Sequence, residues 1–220
     1  MPLDLKTPVD RVLCNLDLYL VDHGFFRAMY DNFFEICPGI YRSSQPSPAH
    51  IRRYHRKYAL RTIINLRGKG PRGPFLLEKE ACDQLGIRLV THTLYSRRAP
   101  AKESILAIRD LLQTLERPIL VHCKAGADRA GLMSTLIALL VDRQPPEQAI
   151  QQLHWRYGHS NKSATGIIDA FFRAYIEANQ KAPVDFIEWV EHHYDPVALK
   201  ASFQPKAWAN IITDILLRRE

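Results

Sequence analysis

No stretch of this 220-residue chain approaches the roughly 18 uninterrupted apolar residues of a membrane-spanning helix, so such a helix is excluded. Residues 1–11 carry Asp4 and Asp10 with no apolar leader core behind them, and the expected compartment is the cytoplasm. Cysteine is scarce. Cys14, Cys37, Cys82 and Cys123 lie far apart and form no C-x-x-C pair, which argues against a zinc site or a disulfide framework and fits reduced thiols. No metal or cofactor is expected. Internal repeats and low-complexity tracts are also lacking.

Positive charge, by contrast, is in excess: 30 Lys and Arg against 23 Asp and Glu give a formal charge of +7. An anionic partner follows, though charge alone does not divide nucleic acid, membrane surface and phosphorylated substrate. With 46% hydrophobic residues the chain can fill one core but hardly two. Composition shifts at Pro38 and near Pro183, which predicts an N-terminal arm over 1–37, a central domain over 38–182 and a helical extension over 183–220.

The arm has aromatic pairs without a clean period and reads as partly helical. From residue 39 strand and helix patterns alternate. Residues 39–42 read as a short strand, and Ser47-Pro48 starts a helix to about Lys57. Residues 61–66 form a β-branched strand, and a helix from about Phe75 stops at Gly86. Residues 87–93 and 118–121 are strands around a helix whose Ile105, Ile108, Leu111, Leu112 and Leu115 recur at three- and four-residue spacing. Beyond residue 131 the chain is helical: 132–142, 146–157, 166–178, and one or two helices in 183–220. This alternation predicts an α/β fold.

Between the last strand and the first of those helices runs His122-Cys123-Lys124-Ala125-Gly126-Ala127-Asp128-Arg129-Ala130-Gly131. A strand that opens through a loop into a helix N-terminus aims several N–H groups and the positive end of the helix dipole at one spot. A cysteine there is favoured as thiolate. Six residues on, the planar Arg129 can grip two phosphate oxygens, and Gly126 lets the backbone pass close to an oxyanion. As a lone feature, Cys123 reads as a small buried hydrophobe and Arg129 as a surface ion pair.

His122-Cys123, five residues, then Arg129 resembles the protein tyrosine and dual-specificity phosphatase superfamily. Gly39-Ile40-Tyr41-Arg42-Ser43-Ser44-Gln45-Pro46 and Thr62-Ile63-Ile64-Asn65-Leu66-Arg67 extend the likeness to small atypical bacterial, plant and fungal members over about residues 39–178. The resemblance implies a mostly parallel sheet of four to five strands flanked by helices. It also implies a metal-independent phosphomonoesterase with Cys123 as nucleophile and Arg129 as phosphate binder. His122, Lys124, Ala125, Gly126, Ala127 and Ala130 would line the substrate site.

Two departures stand out. Relatives carry Ser or Thr where this chain has Ala130. Their usual acidic Asp on a separate loop is also missing, since Glu103 is the sole carboxylate between Ile87 and Arg109. Asp128, placed as in phosphatases of phosphoinositides, becomes the expected general acid, with Glu103 as the alternative. Arg67, Arg97 and Arg98, on loops after strands, are expected to rim the pocket.

The expected partner is a phosphorylated protein, inositol or lipid headgroup, with scope for peripheral membrane contact and without nucleic acid. The competing reading is a catalytically weak phosphate-binding module, and a rhodanese or arsenate-reductase reading fits the spacing less well.

Overall fold

A computed structural model describes residues 5, 7–22, 30–70 and 72–203. In chain order, helix α1 (Pro8–Leu16) runs on into a π turn (Asp17–Val21) and is followed by strands β1 (Phe34–Cys37) and β2 (Ile40–Ser43). Next come α2 (Pro48–Tyr58), β3 (Thr62–Asn65), α3 (Gly73–Leu85), β4 (Arg88–Thr91), α4 (Lys102–Gln113) and β5 (Ile119–His122). The rest is helical: α5 (Asp128–Leu140), α6 (Pro146–Ala149), α7 (Ile167–Lys181), α8 (Phe186–His192) and α9 (Pro196–Ser202). Among the described residues no helix is long and apolar enough to cross a membrane.

Local chemistry accounts for the boundaries. Ser47 caps α2 by accepting from the His50 N–H at 3.3 Å, and Pro48 takes a first-turn position where its missing N–H costs nothing. Gly86 ends α3 in the left-handed region at φ 66°.

The chain divides into two compact units interleaved in sequence: one runs up to Thr93 and takes in Glu116–Gly126, and the other holds Leu94–Leu115 and everything from Ala127. The first unit contains a five-stranded sheet of order β1-β2-β5-β3-β4, antiparallel at β1-β2 and parallel elsewhere. Helices α2 and α3 cover one face of it through Ile51, Tyr54, Leu60, Ile63, Ala81, Cys82, Ile87 and Leu120. Ser43 and Asn65 both stand opposite His122, so β2, β3 and β5 end level and their loops leave from one edge. That edge is where parallel sheets place ligands.

The second unit is helical. Its core includes Phe171, Phe172, Tyr175, Phe186, Trp189 and Tyr194, with neighbouring ring centroids 4.8 to 6.3 Å apart. Tyr194 donates to the Pro100 carbonyl at 2.8 Å and Lys102 to the Glu191 carbonyl at 3.1 Å, which fastens α8 to α4.

The α/β class and the mostly parallel sheet agree with the sequence reading. Two elements differ from it. Residues 34–37, placed in a partly helical arm, are strand β1, joined to β2 through Pro38 and Gly39 at φ 75°. Residues 146–157, read as one helix, are α6 followed by short 3-10 turns. His154 adopts extended backbone, and its ring accepts from the Arg156 N–H at 3.2 Å, which ends one turn and starts the next. Residues 23–29 of the expected arm and 204–220 of the expected extension lie outside the described residues.

Candidate active site

Strand β5 delivers Cys123 at its end, buried at 3% exposure. Its position is fixed from both sides of the strand. The Leu66 N–H donates to the His122 carbonyl at 2.9 Å, and the Gln45 N–H to the Lys124 carbonyl at 3.1 Å. Two side chains take the next carbonyls: Asn32 Nδ2 reaches Ala125 O and Arg42 Nη2 reaches Gly126 O, each at 2.9 Å. Three successive carbonyls, Lys124 to Gly126, are thus drawn outward. Because a trans peptide points its N–H opposite to its C=O, the amides of Ala125, Gly126 and Ala127 face the other way.

Gly126 is required at its place. Its φ is 73°, and a Cβ would meet Ser44 N at 2.7 Å and the Ser43 carbonyl carbon at 2.8 Å. The loop then enters α5, whose first turn carries Asp128, Arg129 and the fully buried Ala130.

A buried polar network stands behind the cysteine. Glu78, wholly buried on α3, accepts from His122 Nε2 at 2.5 Å, from Asn65 Nδ2 at 2.6 Å and from Gln45 Nε2 at 3.2 Å. His122 is fixed against β5 by this carboxylate, and its Nδ1 lies 3.3 Å from Cys123 O.

In the helical unit Asp128 has a partner of its own. His159 Nδ1 lies 2.7 Å from Asp128 Oδ1, and its Nε2 lies 2.6 Å from Asp169 Oδ2 on α7. All three residues are buried. With a carboxylate at each nitrogen the ring donates from both. Burial disfavours the imidazolium, but the hydrogen bonds and charges of Asp128 and Asp169 outweigh it and raise the His159 pKa to about 9.

This gives a pH prediction. A folded pKa above the free value of about 6.5 stabilises the fold in full below that pH, and the contribution fades as pH rises through 9. The contribution is on the order of 3 kcal/mol. Urea melts should therefore show the wild-type chain losing stability between pH 6.5 and 9. His159→Gln should start lower and lack that slope, whereas equal slopes in both chains would contradict the charged triad.

The remaining expected site residues are divided between the two units. Arg67 and Lys124 both engage Asp22, at 2.8 and 3.7 Å. Arg98 lies over the Tyr95 ring, 4.6 Å from its centroid, and Glu103 is exposed in the first turn of α4. Arg97, half-buried, is on the same segment of the helical unit as Arg98. Among the described residues no group of three or more His, Cys, Asp or Glu side chains is placed to hold a metal ion.

A family model described as DSP-PTPase phosphatase fused to NAD+ Kinase matches residues 37–165. The chain belongs to this family. The dual specificity protein phosphatase TpbA of Pseudomonas aeruginosa strain UCBPP-PA14 is 24% identical over 126 residues, 56% of this chain and 53% of that protein. The chain thus spans about half the length of the curated relatives it matches. Among solved structures, P. aeruginosa TpbA aligns over 78% of this chain and 89% of its own, with TM-score 0.54 and 18% identity. The core catalytic domain of the PP-IP phosphatase SIW14 from S. cerevisiae aligns over 70% and 96%, with TM-score 0.51 and 20% identity. At these identities the likeness establishes the dual-specificity phosphatase fold.

The family match covers the whole β5–loop–α5 segment yet leaves several residues unnoticed in the sequence. Glu78, Asn32, His159 and Asp169 carry no local motif, and Arg42, though inside the stretch 39–46, shows no sign there of reaching the loop. The faint signal was composition: an Arg in a β-strand and a Glu amid apolar helix neighbours are residue types that get buried only when paired.

Proposed function

We propose that the chain is a metal-independent phosphomonoester hydrolase that works through a phosphocysteine on Cys123. The supporting observation is the loop itself, a buried cysteine at a strand end whose following carbonyls are all tied outward. In this reading the amides of 125–127 and the Arg129 guanidinium hold the phosphate oxygens, and Cys123 Sγ attacks phosphorus while the ester oxygen leaves. Lys124, Ala127 and Ala130 complete the lining, and His122 supports the loop from behind through Glu78. Water then cleaves the S–P bond and releases phosphate. The substrate is a phosphoprotein, an inositol phosphate or a phosphorylated lipid headgroup.

Asp128 is assigned to deliver the proton to the leaving oxygen; that proton is the one His159 holds at neutral pH one hydrogen bond behind it, so the step leaves an Asp128 carboxylate and a neutral His159. The departure at Ala130 bears on the second step. Without a hydroxyl beside the sulfur, phosphocysteine hydrolysis is the slower half of the cycle.

Stopped-flow hydrolysis of para-nitrophenyl phosphate in excess chelator tests this reading. The expected trace is a burst of para-nitrophenol close to one equivalent, then a slow steady state. In the same assay Asp128→Asn should cost about 10²-fold more on an alkyl phosphate than on the aryl one. Loss of all activity on chelation would contradict the metal-free reading. Absence of any hydrolysis would favour the alternative, a phosphate-binding module with little turnover, for which Ala130 is the motivating residue.

A further inference from the structure

Two cations expected on the pocket rim are occupied by an anion from the chain itself. Arg67, just past β3, grips Asp22 with both terminal nitrogens, Nη1 to Oδ2 at 2.9 Å and Nη2 to Oδ1 at 2.8 Å. Lys124, the residue after the nucleophile, has its Nζ 3.7 Å from the same Oδ1. Gln45 ties the group to the loop: its Oε1 accepts from Arg67 Nη1 at 2.9 Å while its N–H holds the Lys124 carbonyl at 3.1 Å. The Asp22 side chain is 4% exposed, and those of Arg67 and Lys124 are 16% and 14% exposed.

Asp22 is delivered by a segment docked on α3. Arg11 pairs with Glu80 at 2.9 and 2.6 Å, and Asp17 Oδ2 accepts from the Gly73 N–H at 2.8 Å. Cys14 and Leu18 pack on Leu77, and a Cβ at Gly73 would collide with the Cys14 backbone. The carboxylate is therefore aimed at the two cations by a built contact.

A phosphate offers a guanidinium the same pair of oxygens as a carboxylate does, with a charge nearer −2 than −1. Exchanging one anion for the other leaves the cations paired and avoids baring a buried charge. We propose that Arg67 and Lys124 form a second anion subsite beside the Cys123 loop. Asp22 fills it here, and a second phosphate of a multiply phosphorylated small molecule takes it by displacing Asp22. This rests on the reading that the loop binds phosphate, and it turns the N-terminal segment into a tethered competitor.

If the subsite is open about one-tenth of the time, removing the competitor raises affinity about tenfold. Calorimetric titration of the full chain with inositol hexakisphosphate and with inorganic phosphate is the test. Asp22→Asn should bind the hexakisphosphate about tenfold more tightly and inorganic phosphate less than about twofold more tightly. Asp83→Asn, at an exposed carboxylate on α3, controls for net charge and should change neither. No gain, an equal gain for both ligands, or an equal gain in the control overturns the proposal.

Should Asp22→Asn fail to fold, wild-type amide exchange decides. The Asp22 N–H bonds to Asp17 O at 2.8 Å and should exchange faster with the hexakisphosphate bound; unchanged or slower exchange contradicts displacement. Binding is read without turnover. Cys123-dependent hydrolysis with no gain in Asp22→Asn sinks the subsite alone, and a gain without hydrolysis leaves the subsite on a chain that only binds phosphate.

Discussion

Glu78→Ala is expected to lower the melting temperature by about 10 °C, from a loss of about 3 to 5 kcal/mol. The size follows from what the carboxylate holds. His122 Nε2, Asn65 Nδ2 and Gln45 Nε2 all converge on it at 2.5 to 3.2 Å, and none of these residues is more than 2% exposed. Removing the acceptor leaves buried donors that water cannot reach, together with a hole where the side chain was.

Activity should fall with stability, since His122 precedes the nucleophile and Gln45 holds the Lys124 carbonyl. Glu78→Gln makes the argument specific. It keeps the shape but must set an amide N–H₂ against a donor, so it should lose a smaller amount, about 1 to 3 kcal/mol. Thermal melts of the three chains decide it. An Ala variant melting within about 2 °C of wild type would show that the network does not hold the loop.

Much of this fold could be read from the sequence because its signals are local. Ser47-Pro48 caps a helix by itself, Gly86 stops one by itself, and the β-branched run at 62–64 needs no partner to be seen as a strand. The cysteine loop was legible for the same reason: nucleophile, glycine and arginine lie within seven residues. Four-residue β1 is too short to show a period, and cutting the chain at Pro38 severed the hairpin that identifies it. The partners of the site are non-local. Glu78 meets His122 across 44 positions, His159 meets Asp128 across 31, and Asn32 meets Ala125 across 93.

Charge was the least legible feature. Arg67 and Lys124 looked like substrate-facing cations, but the sequence gives no sign that Asp22, in a segment of irregular pattern, reaches both. Asp128 was expected as the general acid from its place in the loop alone. The structure adds His159, which lies 2.7 Å from its Oδ1.

The account stands or falls on Cys123. Cys123→Ser should cut kcat on para-nitrophenyl phosphate by about 10⁴-fold or more. A serine hydroxyl is not ionised near neutral pH and is the poorer nucleophile and leaving group, while the loop that binds phosphate stays in place. The variant should therefore still bind inorganic phosphate with wild-type affinity. The most direct measurement is an acid quench during the burst, followed by mass analysis of the Cys123 peptide. Wild type should show one added phosphoryl group on Cys123 at near-stoichiometric yield, and Cys123→Ser none. A chain that hydrolyses the ester at full rate with no phosphoryl group on that peptide would contradict the mechanism.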